Sequence, residues 1–149
     1  KRLFGSNSQN GIKPGTFDLG LITCCAKALK KYMNKIDEHY IYVKELNDYI
    51  RKNINNSKII INSSVDSSPY IINISIPGVN GETLVHKLEG NDIYVSTGSS
   101  CSSKLAKPEK TVLAISKDEK RAKSVLRISL SFLTTKDEVL ELVKVLNSL

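Results

Sequence analysis

The clearest structural signal in this chain is the stretch YIINISIPG, residues 70–78. Its apolar and polar side chains alternate, with Ile72, Ile74 and Ile76 set against Asn73 and Ser75. A period of two is typical of a β-strand that buries one face and leaves the other polar. Pro77-Gly78 then ends the run, because proline lacks the N–H that a paired strand needs. We therefore predict a half-buried strand over residues 70–76.

Three other short runs rich in β-branched residues are candidates to pair with this strand. They are Lys58–Ile61, Ile93–Ser96 and Val125–Leu130. In the third run Leu126, Ile128 and Leu130 form the core-facing set. Arg127 and Ser129 must then project from the opposite face, because successive side chains of a strand alternate.

Helical spacing, with apolar residues every three or four positions, accounts for most of the remaining chain. From Asp18 the first stripe is Ile22, Cys25, Leu29, Tyr32 and Ile36, and the second helix carries Tyr40, Val43, Leu46, Ile50 and Ile54. Asn80 caps a short third helix that ends near Gly90, and Glu109–Ile115 is a fourth. Thr134 or Thr135, each followed by an acid three residues later, begins the last helix.

The order of these elements mixes helices and strands without a regular βαβ repeat. We predict an α+β fold, with a small, mostly antiparallel sheet and helices packed on one face. A length of 149 residues fits a single domain, residues 1–149. The chain opens at Lys1 without methionine, which we interpret as a piece of a longer protein.

The composition excludes several classes of protein. No apolar run approaches the roughly eighteen residues of a membrane span, so we expect no membrane partner. The net charge is +7, but the lysines are scattered along helices without interleaved aromatic residues. This pattern favours a solvated basic surface over a nucleic-acid face, with an acidic protein partner as an intermediate possibility.

The three cysteines form neither a disulfide framework nor a metal site. Cys24 and Cys25 are adjacent on the first helix, whereas metal pairs have intervening residues, so small core residues are favoured there. Cys101 stands alone in STGSSCSSK, residues 96–104, where seven of nine residues are Ser, Thr or Gly. This usage suits a reducing cytoplasm.

The segment around Cys101 has little apolar surface to bury, so we expect it to be mobile and exposed. Lys104 nearby favours the thiolate form of a cysteine. From the residues alone, a reactive thiol and an accidental exposed cysteine are equally favoured. His39 and His86 lie far in sequence from Cys101, and surface positions are favoured over catalytic ones for both.

The segment Ile93–Lys104 resembles the active-site loop of cysteine desulfurases with a long cysteine loop, in the class-V aminotransferase family. The resemblance extends over most of the chain: its other segments are Asn10–Thr16, Gly81–Leu84, Leu126–Leu130 and Thr134-Thr135. It implies the C-terminal domain of an aspartate-aminotransferase-like fold. The family's large cofactor-binding domain would then be absent from this chain, which alone would be inactive.

The resemblance also implies roles for three residues. Cys101 matches the nucleophile that takes sulfur from L-cysteine as a persulfide and leaves alanine. Arg127 matches the arginine that holds the substrate carboxylate, although a cross-strand salt bridge is the alternative from the residues alone. Thr16 matches the threonine that contacts the phosphate of pyridoxal phosphate across the family's homodimer. A sulfur-acceptor protein is the implied partner.

Residues 5–18 depart from the family's pattern. Gly5–Gln9 stands where the family has three glycines, a glutamine and a glutamate, Lys13 replaces an arginine, and Phe17-Asp18 replaces a Glu-Asn pair. These departures keep open a non-catalytic sulfur-relay or docking module. A selenocysteine lyase is the enzymatic alternative. The expected role of a desulfurase is to supply sulfur for iron–sulfur clusters or for thiolation of tRNA and cofactors.

Overall fold

The computed structural model describes residues 4, 5, 7–97 and 108–149, apart from the side chain of Ser8. The chain forms two compact units, Lys1–Ile36 and Asp37–Leu149.

The first unit contains a 3-10 turn, Ser8–Gly11, and helix α1, Leu19–Met33. The helical pattern predicted from Asp18 onward is found, and the carboxylate of Asp18 caps α1 by accepting the backbone N–H of Leu21 at 3.0 Å. The predicted burial of Cys24 and Cys25 is wrong: both are exposed, as is every residue of α1. The apolar stripe was correctly placed on a helix, but the described residues of this unit do not cover it.

The second unit contains the sheet and the remaining helices. The helices are α2 (Ile36–Asn53), α3 (Gly81–Glu89), α4 (Lys110–Ser116), α5 (Glu119–Lys123) and α6 (Lys136–Ser148), and the strands are β1 (Ile60–Ile61), β2 (Ile71–Ser75) and β3 (Val125–Ser129). The strands form an antiparallel sheet in the order β1-β2-β3. This architecture confirms the predicted α+β fold.

One face of the sheet packs into the main core. Ile72 and Ile74 of β2 and Leu126 and Ile128 of β3 are almost completely buried. Helices α2, α3 and α6 supply most of the other buried members, which include Val43, Ile50, Leu84, Leu88, Val139 and Leu146. Burial of each such side chain stabilises the folded state by about 1.5–3 kcal/mol relative to leaving it in water. The core face is the one that the alternation of residues 70–76 and 125–130 predicts.

The last helix begins at the second of the two threonines that the sequence offered. Thr135 and Glu138 form a reciprocal capping box, in which the Glu138 carboxylate accepts the Thr135 N–H at 2.7 Å. The Thr134 hydroxyl instead accepts the N–H of Ser131 at 3.0 Å and so belongs to the preceding turn. The hydrogen bonds from Thr135 lower the pKa of Glu138 below its ordinary value of 4.5.

Two predicted segments differ from the structure. Residues 93–96 form no strand, because only Ser96 pairs with β3, through an isolated bridge to Arg127. The charged segment before β3 contains helix α5, which the sequence analysis missed. Ala122 is the buried residue of α5, and it packs in a small second cluster with Val112 and Val125. A helix with one buried residue leaves no apolar stripe to recognise.

Among the described residues, no helix is both long and apolar enough to cross a membrane.

Candidate anion site on the polar face of the sheet

Four polar residues lie side by side across the sheet on the face opposite the core. Asn73 of β2 is directly opposite Arg127 of β3. On one side, the N–H of Asn62, just after β1, donates to the carbonyl of Asn73 at 2.7 Å. On the other, Arg127 and Ser96 exchange two backbone hydrogen bonds, of 2.6 and 3.2 Å. Directly opposed residues share a face, so Asn62, Asn73, Arg127 and Ser96 form what we call the polar row.

Arg127 lies within this row without an acidic partner. Its side chain is half-buried, and its cross-strand neighbours are an asparagine and a serine. The ion pairs among the described residues are Lys44–Asp48, His86–Glu89, Glu119–Lys123 and Glu141–Lys144. The salt bridge considered for Arg127 is therefore not found in the described part of the chain. A guanidinium is always charged and offers five donors, so it remains able to bind an anion.

The residue that precedes the segment containing Cys101 is bridged to Arg127. Ser96 is fixed to Arg127 by the bridge, and Glu109, on the far side of the segment, donates its N–H to the carbonyl of Ala122 at 2.8 Å. Cys101 and Lys104 lie outside the described residues.

The start of α3 packs unusually close to these elements. Gly81 is buried, and a Cβ atom built on it would lie 2.8 Å from the carbonyl oxygen of Val125 and 3.3 Å from a methyl carbon of Thr97. Real Cβ atoms essentially never approach another atom below 3.0 Å. Glycine therefore permits α3 to contact both the strand that carries Arg127 and the residue that follows Ser96.

Thr16 lies in the first unit, whereas Arg127 lies in the second. Its side chain is exposed, and its hydroxyl forms no hydrogen bond with a described residue. The hydroxyl is therefore available to a ligand oxygen.

The other residues considered from the sequence occupy structural or surface positions. The His39 ring stacks on Phe132, with the ring centroids 4.1 Å apart. His86 is exposed and lies 2.9 Å from the carboxylate of Glu89 on its own helix. No cluster of described residues has the composition of a metal site. The sequence analysis missed Asn62, Asn73 and Ser96; the polar position of Asn73 between two isoleucines was the available signal.

Comparison with known proteins gives one family. The model of the aminotransferase class-V family matches residues 5–142. A Lactobacillus delbrueckii subsp. bulgaricus protein named NifS/IcsS protein homolog is 32% identical over 93% of this chain and 37% of its own length. The cysteine desulfurase IscS of Buchnera aphidicola subsp. Schizaphis graminum is 28% identical over 94% of this chain and 35% of its own length.

A solved structure described as a NifS-like protein superimposes with a TM-score of 0.81. The two sequences are 26% identical, and the match covers 99% of this chain and 38% of that protein. The present chain thus spans a little more than a third of the length of the relatives it matches.

Proposed function

The chain belongs to the aminotransferase class-V family, and on that premise we propose that it is the C-terminal domain of a pyridoxal-phosphate-dependent cysteine desulfurase. The proposed protein takes sulfur from L-cysteine as a persulfide on Cys101 and releases alanine. The observation that carries the proposal is the half-buried guanidinium of Arg127, which has no acidic partner among the described residues. Ser96, at the start of the Cys101 segment, is bridged to the backbone of Arg127. The pairing of Ser96 with β3 thus places the anion-binding guanidinium of Arg127 on the residue opposite the start of the segment that contains Cys101.

Arg127 is the proposed clamp for the carboxylate of cysteine. Its planar fork of N–H donors matches the two oxygens of a carboxylate. With the carboxylate held, the substrate sulfur is presented to the thiolate of Cys101. The new S–S bond forms as the substrate C–S bond breaks; the carbon keeps the electron pair and is protonated, which gives alanine.

Pyridoxal phosphate, when bound, would withdraw electrons from the substrate and so weaken its C–S bond. Thr16 is the residue of this chain that we propose contacts the cofactor. Its hydroxyl, which bonds no described residue, would donate to a phosphate oxygen of the cofactor bound by the neighbouring subunit of a homodimer. The rest of the cofactor site is expected in a large domain that corresponds to the part of the relatives' length beyond this chain.

We propose a cytoplasmic protein that passes its sulfur to an acceptor protein for iron–sulfur cluster assembly or for thiolation of tRNA and cofactors. The relative named cysteine desulfurase IscS supports the reaction rather than a particular acceptor. Two alternatives remain distinct in experiment. A selenocysteine lyase would prefer selenocysteine to cysteine, and a relay module would receive sulfur without producing alanine.

The test uses the full-length protein that carries this chain, supplied with L-cysteine. Alanine is quantified, and the persulfide is located by mass spectrometry after alkylation. Cys101→Ser should abolish the persulfide, because a hydroxyl is a far weaker nucleophile than a thiolate at neutral pH. Cys24→Ser and Cys25→Ser are the matched controls, since both thiols are exposed on α1, and both variants should retain the persulfide.

Each outcome assigns the function differently. A persulfide undiminished in Cys101→Ser would remove Cys101 from the mechanism. A persulfide without stoichiometric alanine would indicate the relay module. Faster turnover of selenocysteine than of cysteine by the unmodified protein would indicate the lyase.

A further inference from the structure

The amide group of Asn62 has a fixed orientation, because both of its ends meet groups of defined polarity. The Arg121 Nε atom donates to Asn62 Oδ1 at 2.7 Å, and a guanidinium can only donate. The hydroxyl proton of Ser75 is donated to the carbonyl of Arg121 at 2.9 Å, so Ser75 Oγ accepts from Asn62 Nδ2 at 2.8 Å. The oxygen of Asn62 must therefore face Arg121, and its NH2 group must face the sheet.

This orientation fixes the amide of Asn73 in turn. Asn62 Nδ2 donates to Asn73 Oδ1 at 2.6 Å, so the Asn73 oxygen points toward β1. The NH2 group of Asn73 is left without a partner among the described residues. In the described part of the chain no buried side-chain nitrogen or oxygen lacks a hydrogen bond. The unpaired NH2 group of Asn73 and the guanidinium of Arg127 must therefore both reach accessible space.

The two free donor groups are neighbours. Arg127 directs its backbone N–H and C=O to Ser96, and Asn73 directs its own to Ser63 and Asn62. Asn73 and Arg127 are therefore a non-hydrogen-bonded antiparallel pair, the kind in which opposed side chains lie closer. A guanidinium and an amide NH2 side by side, with no carboxylate opposite them in the sheet, form an array of donors alone. Such an array is complementary to a carboxylate.

We propose that Asn73 is a second binding residue for the carboxylate held by Arg127, and that Asn62 and Arg121 are positioning residues that keep its NH2 group turned toward the ligand. This inference rests on the proposed function only in taking the ligand to be the α-carboxylate of cysteine. One carboxylate oxygen accepts from Arg127, and the other accepts from Asn73 Nδ2. The ligand class that the pair selects is a small amino acid with a free carboxylate.

The test measures binding by calorimetry in the purified full-length protein, with L-alanine and ethylamine as probes. Ethylamine is alanine without its carboxylate, so the ratio of the two affinities reports the carboxylate site alone. Asn73→Asp keeps the size of the side chain and the acceptor for Asn62 but replaces the donor by a negative charge. We expect it to weaken L-alanine binding roughly ten- to a hundredfold and to leave ethylamine within about threefold.

Asn62→Asp tests the orientation without touching the ligand. A carboxylate cannot donate, so the Asn73 amide would turn its NH2 group toward Asp at position 62 and present its oxygen to the ligand. L-alanine binding should again fall by roughly tenfold or more, selectively over ethylamine. Val65→Asp is the charge-matched control, because Val65 is 78% exposed in a turn, and it should change neither affinity. Asn73→Ala, which removes the donor without adding charge, covers the case in which Asn73→Asp fails to fold.

The inference is overturned if Asn73→Asp or Asn73→Ala binds L-alanine as the unmodified protein does, or loses both probes equally. An unchanged L-alanine affinity in Asn62→Asp overturns the positioning role. An unmodified protein that binds L-alanine no more tightly than ethylamine refutes the carboxylate site altogether. Failure of the proposed function is a separate result: no alanine or persulfide from L-cysteine, while L-alanine is still bound selectively over ethylamine.

Discussion

The two glycines at the ends of helix α3 should respond to the same substitution with opposite signs. Gly81→Ala places a methyl group 2.8 Å from the Val125 carbonyl, about 0.6 Å inside the ordinary contact distance of 3.4 Å. The closest obstacle is a backbone carbonyl oxygen, which cannot rotate away as a side chain can. Overpacking of this kind costs about 1–3 kcal/mol, and the lost flexibility of the unfolded chain returns about 0.4–1 kcal/mol.

Gly90→Ala has the entropic gain without the clash. Gly90 adopts ordinary right-handed helical angles, φ −62° and ψ −9°. A Cβ atom there would lie 3.5 Å from the Lys87 carbonyl and 3.7 Å from the His86 carbonyl, which are ordinary contacts. We therefore expect Gly90→Ala to raise the free energy of unfolding by about 0.4–1 kcal/mol and Gly81→Ala to lower it by roughly 1–2 kcal/mol.

Urea denaturation of the 149-residue chain, followed by circular dichroism, measures both values. Amide hydrogen exchange adds a local readout, because the clash acts on the elements that hold the bridge between Ser96 and Arg127. In Gly81→Ala the amides of Ser96 and Arg127 should exchange faster relative to those of α6, and in Gly90→Ala they should not. Equal stability of the two variants would refute the close approach of α3 to β3.

Three further predictions follow from other contacts. Arg127→Lys in the full-length protein keeps the charge but loses the two-pronged geometry, so the apparent affinity for cysteine should fall about ten- to a hundredfold with little change in melting temperature; a lowered melting temperature with normal affinity would instead indicate a structural role. Thr135→Ala removes the capping box and should cost about 1 kcal/mol at neutral pH in urea denaturation. The folded state lowers the pKa of Glu138, so the part of this stability that depends on its charge is complete above pH 4.5 and is lost as the pH falls through the lowered pKa. The difference in stability between Thr135→Ala and the unmodified chain should therefore shrink in acid. A difference that grows in acid would contradict the capping role. Asn47→Ala breaks buried hydrogen bonds to the Pro69 carbonyl (2.7 Å) and from Arg51 Nε (2.6 Å) and should cost about 1–3 kcal/mol, whereas Asn91→Ala on the exposed end of α3 should cost less than about 0.5 kcal/mol in the same assay.

The sequence by itself determined the features that depend on neighbouring residues. The alternation over residues 70–76 and 125–130 assigned the core-facing set correctly, because the side-chain period of a strand is set by local backbone geometry. Ser75 and Val125 on the opposite face are also buried, because they contact α5, which was not predicted. The cap at Asn80 was predicted for the same reason as the core-facing set, since a cap bonds the backbone within three residues.

Tertiary structure decided what the local signals left open. Thr134 and Thr135 were equivalent candidates for the cap of α6. The Thr134 hydroxyl accepts the N–H of Ser131 in the preceding turn, so Thr135 is the cap. The stripe of α1 shows that apolar spacing predicts a helix but not whether the described residues of its own unit cover it. Helix α5 shows the converse, because a helix with one buried residue, Ala122, has no apolar spacing to recognise.

The candidate site shows the same division most clearly. The strand pattern placed Arg127 on the polar face, but its neighbours come from three distant segments of the chain, at Asn62, Asn73 and Ser96. Strand order and register bring these residues together, and both depend on how the aliphatic faces of β2 and β3 fit the same core. The polar row is therefore a property of the pairing between strands, and no single stretch of sequence contains it.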